Sequence, residues 1–138
     1  MILVDTTVII DLWRGFLGVK NCLEQNESEQ FCISAITIEE VYDGLGYTRI
    51  KKGLDLCKEI RVQLKTILAD FDIIPISLRI LERSGFLKGK LRAKGIVLDV
   101  NDCIVGATAQ IIKAKKIITR NPDHFKPFKV TIETYELK

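Results

Sequence analysis

The sequence predicts an α/β fold in which a parallel sheet is covered by helices on both faces. Short apolar runs alternate with longer stretches of helical periodicity from one end of the chain to the other, the order that builds parallel sheets. Runs such as "ILV" at 2–4 and "KIIT" at 116–119 are apolar without alternation, as expected of short buried strands. The chain has 138 residues, 47% hydrophobic and 28% charged, with no linker or repeat, so it suits one domain with a substantial core.

Residues 2–4 read as the first strand, ending at Asp5. "TTVIIDLWRG" follows as a helix, capped by Thr6 or Thr7 and stopped by Gly15. Residues 17–25 form a second short helix, and 31–33 a second strand. Ser34 is placed to cap a helix over 36–45 that ends near Gly44 or Gly46. Residues 49–70 read as a long amphipathic helix with Leu54, Cys57, Ile60, Leu64, Ile67 and Leu68 on one stripe. "DIIPI" is a third strand with Pro75 at its end. Ser77 caps a helix toward Lys94, with Gly85 and Gly89 weakening its middle. Asp99 caps a helix from 100 to about 115, 116–119 is the fourth strand, and "KVTIETYEL" at 129–137 the fifth.

Composition excludes several classes of function. No apolar run reaches the length of a bilayer span. The N-terminal stretch is apolar, but it has no basic leader and carries Asp5 and Asp11, so it does not read as a signal peptide and the expectation is a cytoplasmic protein. Cys22, Cys32, Cys57 and Cys103 form no C-x-x-C pair. They read as buried free thiols, with a Cys22–Cys32 bridge left open for a hyperthermophilic source. His124 is the single histidine, too little for a His-based triad or a His-rich metal site. The net charge of +3 hints at an anionic partner. The basic residues gather in two segments, Arg49 to Lys65 and Arg79 to Lys94, a pattern that solvated helix faces also produce.

The acids are more informative. "GIVLDVNDCIVGATA" at 95–109 sets Asp99 and Asp102 in an apolar, small-residue run, and buried charges need compensation. In a parallel sheet, ligands bind outside the carboxyl ends of the strands. Asp5 ends strand one, Glu39 and Glu40 lie in the helix after strand two, Asp99 and Asp102 open the helix before strand four, and "TRNPDHF" brings Asn121 and Asp123 after it. Adjacent Glu39 and Glu40 cannot both face inward on a helix. Carboxylates gathered in this way repel one another unless a cation neutralises them, and hard oxygen donors suit Mg²⁺ or Mn²⁺. Asp11, Asp43 and Asp55 read as surface acids.

"MILVDTTVIIDL", "ISAITIEEVYDG", "DCIVGATA" and "ITRNPDHF" follow one another as they do in PIN-domain proteins. The whole chain resembles the ribonuclease toxin of a VapBC-type toxin–antitoxin pair. That resemblance implies one PIN-like α/β/α sandwich over residues 1–138, with a parallel sheet of about five strands. It implies Asp5, Glu40 and Asp102 as catalytic acids. These three, with Asp99, Asn121 and Asp123, are the implied metal ligands for Mg²⁺ or Mn²⁺. Asn121 stands where the family carries a fourth acid, so Asn121 or Asp123 completes the set. Thr6 and Thr119 match supporting hydroxyls, and Arg49, Lys51, Lys52 and Arg120 become RNA-backbone contacts. Implied partners are RNA such as tRNA or rRNA, a small antitoxin, and a second copy in a homodimer. The alternatives are a PIN-like domain that binds RNA or protein without cutting, and a stand-alone RNA-processing nuclease. A phosphoryl-accepting receiver domain fits poorly, because "ILVDTT" holds one acid where that fold wants a pair.

Overall fold

The computed structural model describes residues 1–138. Five strands form one sheet: β1 (Ile2–Val4), β2 (Phe31–Ser34), β3 (Asp72–Ile74), β4 (Lys116–Ile118) and β5 (Ile132–Glu133). Their spatial order is β3-β2-β1-β4-β5 and every pairing is parallel. Six helices cover it: α1 (Thr6–Arg14), α2 (Leu17–Gln25), α3 (Ala35–Lys52), α4 (Leu54–Leu68), α5 (Leu78–Ala93) and α6 (Val100–Ile111). Two 3₁₀ turns, 122–124 and 126–128, link β4 to β5.

Side chains alternate across a strand, and that alternation divides the core in two. Ile2, Val4, Ile33 and Ile118 join Val8, Val41 and Leu64 on one face. Leu3, Cys32 and Ile117 join Ile80, Val105 and Phe128 on the other. The result is the expected three-layer α/β/α sandwich. No helix is long and apolar enough to cross a membrane.

Several boundaries differ from the sequence reading. Helix α3 does not stop at Gly44 or Gly46; it continues to Lys52 and ends at Gly53, whose φ is 102°. Neither inner glycine takes a positive φ, and a glycine stops a helix only where the chain turns left-handed. The reading of one helix over 49–70 therefore fails, because the break at Gly53 gives its first turn to α3. Within α4, Cys57, Leu64 and Leu68 are buried as the stripe predicts, while Leu54 is exposed. Helix α1 is capped by Asp5 rather than by Thr6 or Thr7, with no side-chain cap bond. Asp99 stands at the N-cap of α6 but its side chain caps nothing. Helix α6 ends at Ile111, short of 115, and the chain turns at Lys113 with φ 54°. The fifth strand keeps only two paired residues. All four cysteines are buried free thiols, so Cys22 and Cys32 form no bridge.

Candidate active site

Parallel pairing puts the ends of β1, β2 and β4 at one rim, where Asp5, Ser34 and Thr119 leave the sheet. A cleft of about 270 Å³ opens there. Asp5, Glu40, Asp99 and Asp102 line it, and Arg14, Arg120 and His124 supply positive or titratable groups on the same walls. Thr6, Thr7 and Asn121 complete most of the lining.

Asp5 is buried. Its Oδ2 accepts from the Thr119 hydroxyl at 2.9 Å and from the Thr7 hydroxyl at 3.1 Å. Two short side chains on separate elements thus hold its orientation. Thr119 is locked in turn, because its Oγ1 accepts from the Asn121 amide at 3.0 Å. Thr6 lies inside the first turn of α1, and its hydroxyl donates to Glu40 Oε1 at 2.7 Å while meeting Thr37 Oγ1 at 2.9 Å. The buried Ser34 side chain accepts from the Ile36 amide and opens α3 with the phase that turns Glu40 inward. Glu39 is exposed, so the helical phase implied by the resemblance holds.

Asp102, in the first turn of α6, stands with its Oδ2 3.0 Å from His124 Nδ1. Burial raises the Asp102 carboxyl to about 6, His124 opposes this, and the charges of Asp5, Asp99 and Glu40 add to the rise. Glu40 is also pushed up by burial; Thr6 and Asn101 hydrogen bonds pull it down, and the Asp5 and Asp99 charges raise it again. Acids that begin 97 positions apart in the chain therefore share one electrostatic environment.

No three Asp, Glu, His or Cys side chains close into a ready-made metal cage. The donor set nevertheless fits Mg²⁺ or Mn²⁺, since Mg²⁺ keeps several waters and takes one or two carboxylates from the protein. All donors at the cleft are hard oxygens apart from His124, and their mutual repulsion is what a divalent cation relieves.

The cleft does not gather every residue expected of it. Asp123 is exposed and pairs with Lys126 at 2.6 Å, which holds its carboxyl below the usual range. It is absent from the cleft walls, whereas Asn121 lines them. Arg49, Lys51 and Lys52 are exposed at the far end of α3, roughly 14–18 Å along the helix from Glu40 at 1.5 Å per residue. The reading of Asp11 as a surface acid is overturned: it has no exposure at all. Val8, three residues earlier on the buried face of α1, marks the phase that carries Asp11 inward. Thr37 and Arg14 went unnoticed in the sequence, and nothing in their local pattern marks them.

A family model described as "PIN domain" matches residues 2–129. The chain belongs to the PIN-domain family. This is a family of nucleases. No curated protein matches the chain. Among solved structures, the chain resembles VapBC2 from Rickettsia felis, bound to a promoter DNA fragment, with TM-score 0.84 and 23% identity over 99% of this chain and 100% of that one. FitAcB from Neisseria gonorrhoeae matches with TM-score 0.81 and 23% identity over 96% of both chains. A toxin–antitoxin complex from Klebsiella pneumoniae shares 31% identity over 91% of both chains, with TM-score 0.68. This PIN domain thus joins a fold found repeatedly in toxin–antitoxin complexes to an acidic cleft at its sheet rim.

Proposed function

We propose that this PIN domain, spanning residues 1–138, is a Mg²⁺- or Mn²⁺-dependent endoribonuclease and the toxin of a toxin–antitoxin pair. One observation carries the reading: Asp5, Glu40 and Asp102, remote in sequence, line a single cleft beside Arg120 and His124. Asp5, Asp102 and Glu40 would hold the cation, with Asp99 and the Asn121 carbonyl at the edge of the set. Bound there, a divalent ion would supply an activated water and neutralise charge on the scissile phosphate. Thr7 and Thr119 keep the Asp5 carboxylate facing the cleft. Thr6 does the same for Glu40. Arg120 would offset the negative cleft for an incoming phosphate, and Arg49, Lys51 and Lys52 would meet RNA further along its backbone.

The toxin–antitoxin complexes that share the fold support a small cognate antitoxin as partner. The site would act in the cytoplasm on tRNA, rRNA or similar RNA, in a homodimer. The decisive experiment is cleavage of a labelled RNA by purified protein in Mg²⁺ or Mn²⁺. Asp5→Asn and Asp102→Asn should each abolish it while leaving the circular-dichroism spectrum unchanged. Full cleavage by both variants, with contaminating nucleases excluded, overturns the assignment. Co-expression with the neighbouring reading frame separates a toxin, which should co-purify with a small partner, from a stand-alone processing nuclease. Asn121 in place of an acid favours a second reading, a domain that binds RNA without cutting. Tight RNA binding with no metal-dependent product would establish it.

A further inference from the structure

The C-terminal segment crosses the first turn of α2, where the Gly18 amide donates to the Leu137 carbonyl at 3.4 Å. A Cβ on Gly18 would stand 1.5 Å from the Glu136 carbonyl oxygen, so this crossing admits no side chain. The path lays Tyr135 against α1, and its hydroxyl donates to Asp11 Oδ2 at 2.7 Å. Burial and the Asp11 bond push the Tyr135 hydroxyl far up, which keeps it a donor. The same Oδ2 lies 2.9 Å from Arg120 Nε. That contact joins opposite charges without a well-aimed hydrogen bond, and Asp11 Oδ1 has no partner.

A carboxylate with no exposure and an unmatched oxygen is costly to bury. The surrounding core is apolar and gives it no other task. What Asp11 does hold is one phenol from the tail and one guanidinium on the cleft wall. The Arg120 backbone amide is fixed as well, donating to Thr7 Oγ1 at 3.2 Å, and Thr7 donates to Asp5. No hydrogen bond of the protein takes up the terminal guanidinium nitrogens, and the side chain is 37% exposed toward solvent. A planar fork anchored at one end and open at the other is suited to a phosphate.

We propose that Asp11 and Tyr135 are positioning residues that hold the Arg120 guanidinium in the cleft to contact a substrate phosphate, making the C-terminal tail a working part of the site. The proposal rests on the nuclease reading of the cleft. Confining Arg120 during folding spares its ordering on binding. Tyr135 and Asp11 touch no substrate; they act through Arg120.

The test is binding of a fluorescein-labelled single-stranded RNA in Ca²⁺, followed by anisotropy across a series of KCl concentrations. Arg120→Gln should weaken binding about tenfold, the order expected for a lost charged hydrogen bond. It should also flatten the salt slope by about 0.7, the value for one phosphate contact on a single strand. Tyr135→Phe should weaken binding roughly threefold and act on KM rather than kcat, since the tether orders Arg120 for binding. Gly18→Ala, which displaces the tail without altering any group of the network, should reproduce the Tyr135→Phe loss. In the Arg120→Gln background, Tyr135→Phe should add nothing. A separate, additive loss would mean that Tyr135 is structural only and would overturn the proposal. So would wild-type affinity and salt slope in folded Tyr135→Phe and Gly18→Ala. Either result leaves the nuclease reading intact if the wild type still cleaves RNA and Asp5→Asn does not. A wild type that neither binds nor cleaves RNA overturns both.

Discussion

Asp102 carries an unfavourable charge at neutral pH. Burial, opposed by His124 and reinforced by the charges of Asp5, Asp99 and Glu40, lifts its carboxyl from the ordinary aspartate value of 3.8 to about 6. A raised folded-state value favours the protonated acid, so this contribution to stability is fully present below pH 4 and is lost as pH rises through 6. Asp102→Asn is therefore expected to melt higher than the wild type at pH 7, by a few degrees in metal-free buffer. About 1 kcal/mol moves a domain of this size by roughly 3–5 °C. The advantage should shrink toward zero near pH 4, and thermal melts across that range check it. The same substitution should abolish cleavage, so stability and activity move in opposite directions at this position. Glu39→Gln should leave cleavage near the wild-type rate while Glu40→Gln removes it, because Glu39 faces solvent and Glu40 faces Thr6. Equal loss in cleavage assays of the two would show that the phase of α3 is misjudged.

Within the helices, Gly44 and Gly106 behave in opposite ways. Gly44 lies mid-helix in α3, its φ is not positive and an added Cβ meets nothing within 4 Å. Gly44→Ala should stabilise by about 0.5–1 kcal/mol, chiefly by restricting the unfolded chain. Gly106 lies in α6, where a Cβ would stand 2.5 Å from the buried Phe128 ring. Gly106→Ala should destabilise by about 1–3 kcal/mol through overpacking, measured by urea unfolding. This close approach seats α6 on the 126–128 turn and so helps set the distance between Asp102 and His124. A further link ties β5 to the rest. Burial alone would raise Glu133, but hydrogen bonds from Lys116 and Asn26 hold it below the usual range.

At the scale of the molecule, the cleft joins charges that the folded chain holds near one another against their repulsion. A cation that binds the folded form alone stabilises it by about 2.7 kcal/mol at a hundredfold excess over Kd. Mn²⁺ or Mg²⁺ should therefore raise the melting temperature of the wild type, with EDTA reversing the shift. Asp5→Asn and Asp102→Asn should show little of it. An unchanged melting point under saturating metal would remove the cation from the mechanism. The exposed end of α3, with Arg49, Lys51 and Lys52, lies well outside the cleft, so under the proposed nuclease function any contribution it makes to RNA binding should be long-range and should fade with added salt, as titration of binding against KCl would show.

The alternation of short apolar runs with helical segments was enough to determine the parallel sheet and its two helical layers, because burial on both faces leaves its mark on every strand. The strand-end rule likewise brought Asp5, the Glu39–Glu40 pair, Asp99 and Asp102 to one rim, since parallel strands share one carboxyl edge, and the family resemblance singled out Glu40, which lines the cleft with Asp5 and Asp102. Local pattern failed where the outcome depends on distant neighbours. Gly44 and Gly46 looked like stops, yet packing of Val41 and Leu45 carries α3 through them to Gly53. Asp123 looked like a ligand, yet Lys126 and the turn at 122–124 draw it outward. Asp11 looked like a surface acid, and only the return of the chain's last residues, with Tyr135, makes it part of a buried network. Which polar groups meet across more than a hundred residues is decided by tertiary packing, because hydrogen bonds and ion pairs act over a few ångströms of space and carry no trace of sequence separation.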